Sequence, residues 1–92
     1  MNLEKLLRIV GLKIFVKYYY DFKNCSRAYC INSFEENFTD ESKFSRAKHA
    51  KTIMNNNLDK DALIIIAKSK RVGSATKEAA IQILESEFSC VL

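Results

Sequence analysis

Two glycines, Gly11 and Gly73, and no proline punctuate 92 residues. Tight turns draw heavily on these two residue types, because one reaches positive φ without strain and the other pre-sets φ. A chain nearly without them cannot supply the closely spaced turns of a sandwich or barrel. The sequence therefore predicts an all-α fold of four to five short helices in stacked helical hairpins, as one domain over residues 1–92. With 48% hydrophobic residues it is too apolar for a disordered tail. A mass of 10.6 kDa implies a folded surface of roughly 5,500 Å² and a modest core that needs no metal or disulfide staple. No run approaches the roughly 18 apolar residues of a membrane span, and no signal peptide opens the chain.

Residues 3–22 set the main difficulty. At helical period Leu3, Leu7, Val10, Ile14, Tyr18 and Phe22 form one stripe, with Leu6 beside it. Ile9, Leu12, Val16, Tyr19 and Tyr20 then cover much of the other side, interrupted by Lys5, Lys13 and Lys17. A helix apolar nearly all round is either the centre of a bundle or lies between its own core and a partner. The same residues from Leu12 to Phe22 also alternate at period two in β-branched and aromatic types, as a strand does. The α+β alternative is thus a hairpin at 12–34, pairing this run with Arg27–Phe34 across a turn that lacks Gly.

The remaining helices have ordinary signals. Residues 26–37 read as a short helix capped by Asn24 or Ser26, with Cys30, Phe34 and Phe38 four apart. Thr39 or Asp40 starts the next, whose stripe is Phe44, Ala47, Ala50, Ile53 and Met54 and whose end is Asn55-Asn56-Asn57. A third begins near Asp59 with Leu58, Ala62, Ile65 and Ile66 inward, widened by Leu63 and Ile64, and stops at Lys68-Ser69-Lys70-Arg71. Val72-Gly73 breaks the chain, Ser74 caps, and 75–88 is the last helix with Ala80, Ile83, Leu84 and Phe88 inward.

The net charge of +4 is unevenly placed: +4 over residues 1–30, −4 over 31–42, +6 over 43–71 and −2 over 72–92. Eleven of the fifteen cations are Lys, which suits solvated faces better than bidentate readout of phosphates or bases. Cys25, Cys30 and Cys90 form an odd set without a secretory signal, pointing to a reducing, cytoplasmic setting. With His49 they make a formal zinc set, but the spacing is unlike the paired spacings of structural sites, so no metal and no cofactor are expected.

No enzyme is expected either. The single histidine, His49, lies among Arg46, Lys48 and Lys51 with no nucleophile or acid spaced to form a triad. No Gly-rich loop is present to cradle a phosphate, and no small-molecule substrate or membrane partner is implied. Two binding readings remain. In the first, three consecutive tyrosines span about 200° of a helix, so at least one must leave the core. Leu12, Val16, Tyr19 and Tyr20, rimmed by Lys13 and Lys17, then form a protein-binding face for a partner or a second copy. The chain would act as a small adaptor, regulator or inhibitor. Its abundance of Lys, Asn and Ile fits an A/T-rich phage or mobile-element gene.

In the second, residues 67–82 lie on a helix-turn-helix outline with Ala67 as the small residue and Thr76 opening the second helix. Lys68, Lys70, Arg71, Ser74, Thr76 and Lys77, with Gln82, would meet DNA. The outline departs where Arg71 stands in the turn glycine's place and where Lys77 replaces a buried aliphatic residue. An echo thirty residues apart, Ala47, Ala50, Ile53 and Met54 against Lys77, Ala80, Ile83 and Leu84, reflects helix packing.

Overall fold

A computed structural model describes residues 2–92, and among them every regular element is helical. In chain order these are α1 (Leu3–Val10), α2 (Leu12–Lys17), α3 (Tyr19–Asn24), α4 (Arg27–Ser33), α5 (Asp40–Asn55), α6 (Asp59–Lys68) and α7 (Ser74–Phe88). The all-α expectation holds, with seven helices in place of four or five. The hairpin alternative at 12–34 does not form, because those residues make α2, α3 and α4. The surface of 5656 Å² agrees with that expected for the mass.

The extra helices come from two breaks in the first segment. Asn2 caps α1, its side chain accepting from the Lys5 amide. At Gly11 the backbone takes φ +93°, which an L side chain rarely adopts, and α1 ends. The exit is pinned from α5. Arg46 Nη1 donates to the Val10 carbonyl at 2.7 Å and its Nε to Ser42 Oγ at 3.0 Å. The same guanidinium lies 3.9 Å from the centre of the Phe38 ring. A second, milder break follows at Tyr18 (φ −109°, ψ 21°), across which the Phe22 amide still reaches the Tyr18 carbonyl at 2.9 Å.

These two bends dispose of most of the apolar surplus. The stripe Leu7, Val10, Ile14, Tyr18 and Phe22 is buried as the periodicity predicts, and Phe15, Val16 and Tyr19 are buried as well. One straight helix could not bury both sets; three short ones present them to different neighbours. Phe15, Tyr19 and Phe22 form an aromatic centre with ring separations of 6.0 and 6.1 Å. Phe34 seats edge-on against Tyr18 at 5.1 Å. Each such side chain removed from water contributes up to about 3 kcal/mol.

Downstream, Ser26 and Thr39 cap α4 and α5, accepting from the Tyr29 and Ser42 amides. The α4 helix ends at Ser33, short of the expected residue 37, because Phe34 turns extended to enter the core. Asn57 takes the left-handed conformation (φ 55°) that closes α5. Gly73, not Ser74, occupies the N-cap position of α7. The α5 helix packs on α1, α3 and α4, whereas α7 packs on α6 and α2. Ala47, Ala50 and Ile53 of α5, Ala62, Leu63 and Ile66 of α6, and Ala80, Ile83 and Leu84 of α7 face inward. Phe44 departs from expectation: it is 47% exposed, covered by the Arg27 guanidinium 5.1 Å from its ring centre. No helix among the described residues is long and apolar enough to cross a membrane.

Candidate protein-binding groove

The contact of α2 and α3 with α7 leaves a furrow on the surface. A depression of about 390 Å³ is lined by Val16, Lys17 and Tyr20 on one side and by Ala79, Gln82 and Ile83 on the other. A second, of about 170 Å³, adjoins it through the shared Val16, Lys17 and Ala79, and extends to Lys13, Ala75 and Thr76. The furrow exists because α7 offers small or short side chains at Ala75, Ala79 and Ser86, so its backbone lies low beside α2. From residue 75 to residue 86 the helix rises about 17 Å, the length of three turns.

The expected binding residues divide sharply. Lys13, Val16, Lys17 and Tyr20 come together in the furrow. Val16 is only 7% exposed and contributes floor rather than an outward face. Tyr19 is 0% exposed and is a core residue, which corrects its placement on a binding face. Its hydroxyl donates to Asp59 Oδ2 at 2.6 Å, and burial together with that carboxylate raises its pKa far above the usual tyrosine value. Leu12 lies apart, in a cleft of about 400 Å³ with Leu7, Arg8, Ile65, Ser69 and Arg71.

Tyr20 is the ring that leaves the core. It is 46% exposed, set edge-on to Tyr19 at 5.2 Å, with its hydroxyl 3.4 Å from Glu87 Oε2. The cations beside it are neutralised within the chain. Lys23 Nζ is 2.6 Å from Glu87, which holds that carboxyl below its ordinary range. Lys17 Nζ is 2.6 Å from Glu36 and 3.7 Å from Glu35. The hydrogen bond to Glu36 holds the Lys17 ammonium above the ordinary lysine range. Glu36 also accepts from the Tyr18 hydroxyl at 2.7 Å. Partial burial works against its charge, but the bonds from Lys17 and Tyr18 prevail and bring it to about 2. Lys13, by contrast, has no ion-pair partner among the described residues.

The residues of the DNA reading are less gathered. Lys68, Lys70, Arg71 and Ser74 are exposed around the α6–α7 connection, and Lys77 is half-buried. Thr76 and Gln82 turn toward α2 and line the furrow. On α7 the outward row from Ser74 continues through Glu78 and Glu85, both exposed, so carboxylates stand where a recognition helix would meet phosphates. Cys25, Cys30, Cys90 and His49 do not assemble: among the described residues no three metal-binding side chains converge. Burial raises the Cys30 thiol, which bonds to the Asp21 carbonyl at 3.3 Å. His49 Nδ1 donates to the Ser45 carbonyl at 2.6 Å within its own helix.

Sequence reasoning missed Ala75, Ala79 and Ser86, whose signal was present: small residues recur at one helical face of α7. No protein family, curated protein or solved structure matches the chain.

Proposed function

We propose that the chain is a non-catalytic protein-binding module that takes a helical segment of a partner protein in the α2–α7 furrow. The observation that carries this is the convergence of Lys13, Val16, Lys17 and Tyr20, from the apolar N-terminal segment, with a low face of α7 in one three-turn groove. Such a groove matches the mode in which an amphipathic helix lays its apolar face between two others. Among the described residues there is no strand, so no sheet edge is offered to an extended peptide. The carboxylates Glu78 and Glu85 on the outward row of α7 weigh against DNA as the ligand of this region.

The test is a photocrosslinking residue placed at Gln82, in the groove, or at Lys60, exposed on α6, in cells that naturally make the chain. A discrete crosslinked polypeptide is expected from position 82 and not from position 60. That polypeptide, made recombinantly, should bind the wild type and lose at least tenfold in affinity when Ala79→Arg fills the groove. A crosslinked product of twice the chain mass would assign the occupant to a second copy. Equal crosslinking from both positions, or unchanged affinity for Ala79→Arg, would overturn the reading.

A further inference from the structure

The geometry points to an acidic partner: an amphipathic helix whose acidic end lies over Lys13, Arg8 and Arg71. This inference rests on the binding reading above and adds the chemistry and direction of what the groove accepts. Its basis is a difference between the two ends of the furrow. In the middle of the furrow Lys17 is already matched by Glu36, and toward the end near Ser86 Lys23 is matched by Glu87. At the end near Ala75, Lys13 stands without a counter-charge among the described residues. Just beyond it, on the far side of Leu12, the neighbouring cleft carries two guanidinium groups, Arg8 and Arg71. Neither forms an ion pair among the described residues. Glu4 lines the same cleft and Glu78 is exposed on α7 one turn from Ala75; set against Lys13, Arg8 and Arg71, these two carboxylates leave the end net positive.

The consecutive residues Leu12 and Lys13 join the cleft to the furrow, one lining each. A helix of three to four turns seated in the furrow would reach this junction. Apolar contact with Val16, Ala79 and Ile83 would hold its centre, and the rim charges would steer and orient it. Carboxylates in the first turn of such a helix are also favoured by its own dipole, so an acidic end is naturally an N-terminal end. The helix would therefore run from the Ala75 end toward the Ser86 end, parallel to α7.

The experiment uses the whole chain, labelled with nitrogen-15, and two stapled 16-residue helical peptides with the same Leu/Ala face. One carries Glu and Asp in its first two turns and the other Lys at the same positions. A 16-base-pair DNA duplex serves as a polyanion without an apolar face. The acidic peptide is expected to bind at least tenfold more tightly than the basic one. It should move the amide signals of Val16, Tyr20 and Ala79 and weaken as salt rises from 50 to 300 mM. Lys13→Glu together with Arg71→Glu, both at exposed positions, should cost it at least tenfold and reduce that salt dependence.

Equal binding of the two peptides in the furrow would overturn the charge assignment while leaving the groove reading standing. DNA that displaces the acidic peptide, or binding that leaves the furrow signals unmoved, would overturn the inference. If neither peptide binds, the inference also falls, and the crosslink from position 82 decides separately whether the groove is a binding site.

Discussion

Replacing Gly11 with Ala sets two descriptions of the N-terminal segment against each other with opposite signs. If residues 3–22 formed one straight helix, Ala would be the better residue by about 1 kcal/mol and would raise stability. In the structure Gly11 has φ +93°, and a Cβ built there lies 3.0 Å from Arg46 Nη1. Backbone strain of this kind costs about 1–3 kcal/mol. Displacing Arg46 would in addition weaken its 2.7 Å bond to the Val10 carbonyl, an interaction of a class worth about 1.5–3 kcal/mol. The reduced freedom of the unfolded chain returns roughly 0.4–1 kcal/mol. The balance is a loss of about 2 kcal/mol, or roughly 8–16 °C in Tm for a domain of this size. Gly73→Ala is the control. Gly73 has φ −71° and no atom within 4 Å of the added methyl, so its substitution should change stability by about 0.5 kcal/mol or less. Thermal and urea unfolding followed by circular dichroism at pH 7 would measure both. A Gly11→Ala variant as stable as the wild type, or more stable, would refute the break at Gly11 and the burial scheme that depends on it.

Tyr19→Phe should cost about 1–2 kcal/mol by removing the hydroxyl that Asp59 accepts, whereas Tyr20→Phe should cost less than about 0.5 kcal/mol. Urea midpoints that fall equally for the two would contradict their assignment to core and surface. Lys51→Met should lower stability by about 1–3 kcal/mol, because Lys51 Nζ donates to the Phe22 and Cys25 carbonyls at the end of α3. Amide exchange should quicken first in residues 19–25, and a loss spread evenly over the chain would count against that local role. Glu36 titrates at about 2 in the folded chain against an ordinary value of 4.5, so its contribution is complete above pH 4.5 and lost as pH falls toward 2. Glu36→Gln should therefore be less stable than wild type at pH 7 and converge with it by about pH 2. A constant difference across that range would show that the Lys17 pairing does not lower its titration.

The fold was legible where local chemistry decides. Ser26 and Thr39 cap the helices their types predict, and Asn57 closes α5 in the left-handed conformation asparagine tolerates. The stripe from Leu7 to Phe22 was legible even across Gly11, and that continuity hid the break. A positive φ at one residue changes the direction of the axis without removing the flanking residues from the core, so periodicity does not register it. Phe44 misled for a related reason. It continues the Ala47–Ala50 row, but a row says nothing of where the neighbouring helices stop, and here the ring stays 47% exposed with the Arg27 guanidinium over it. Tyr19 followed from treating the tyrosine run as part of a straight helix. The bend at Tyr18 turns that ring inward and leaves Tyr20 as the one outside.

The candidate site was legible only in halves, because its walls come from residues about sixty positions apart. Lys13 and Val16 entered one reading and Thr76 the other, and nothing in a linear pattern says that they share a groove. Once they do, the two readings stop being independent. Arg71, counted as a phosphate contact, lies in the same cleft as Leu12, counted as a partner contact. Neutralising the cations at this end would then weaken an acidic protein helix and a DNA duplex alike, so loss of binding by itself would not separate them. The separation has to come from the α7 side. A duplex must approach the outward row that carries Glu78 and Glu85, whereas a helix in the furrow has its apolar contacts at Ala79 and Ile83 and meets those carboxylates beside Gln82, at the groove's edge. The low face of α7 beside α2, more than the cations shared by both readings, is what makes protein the better-supported ligand.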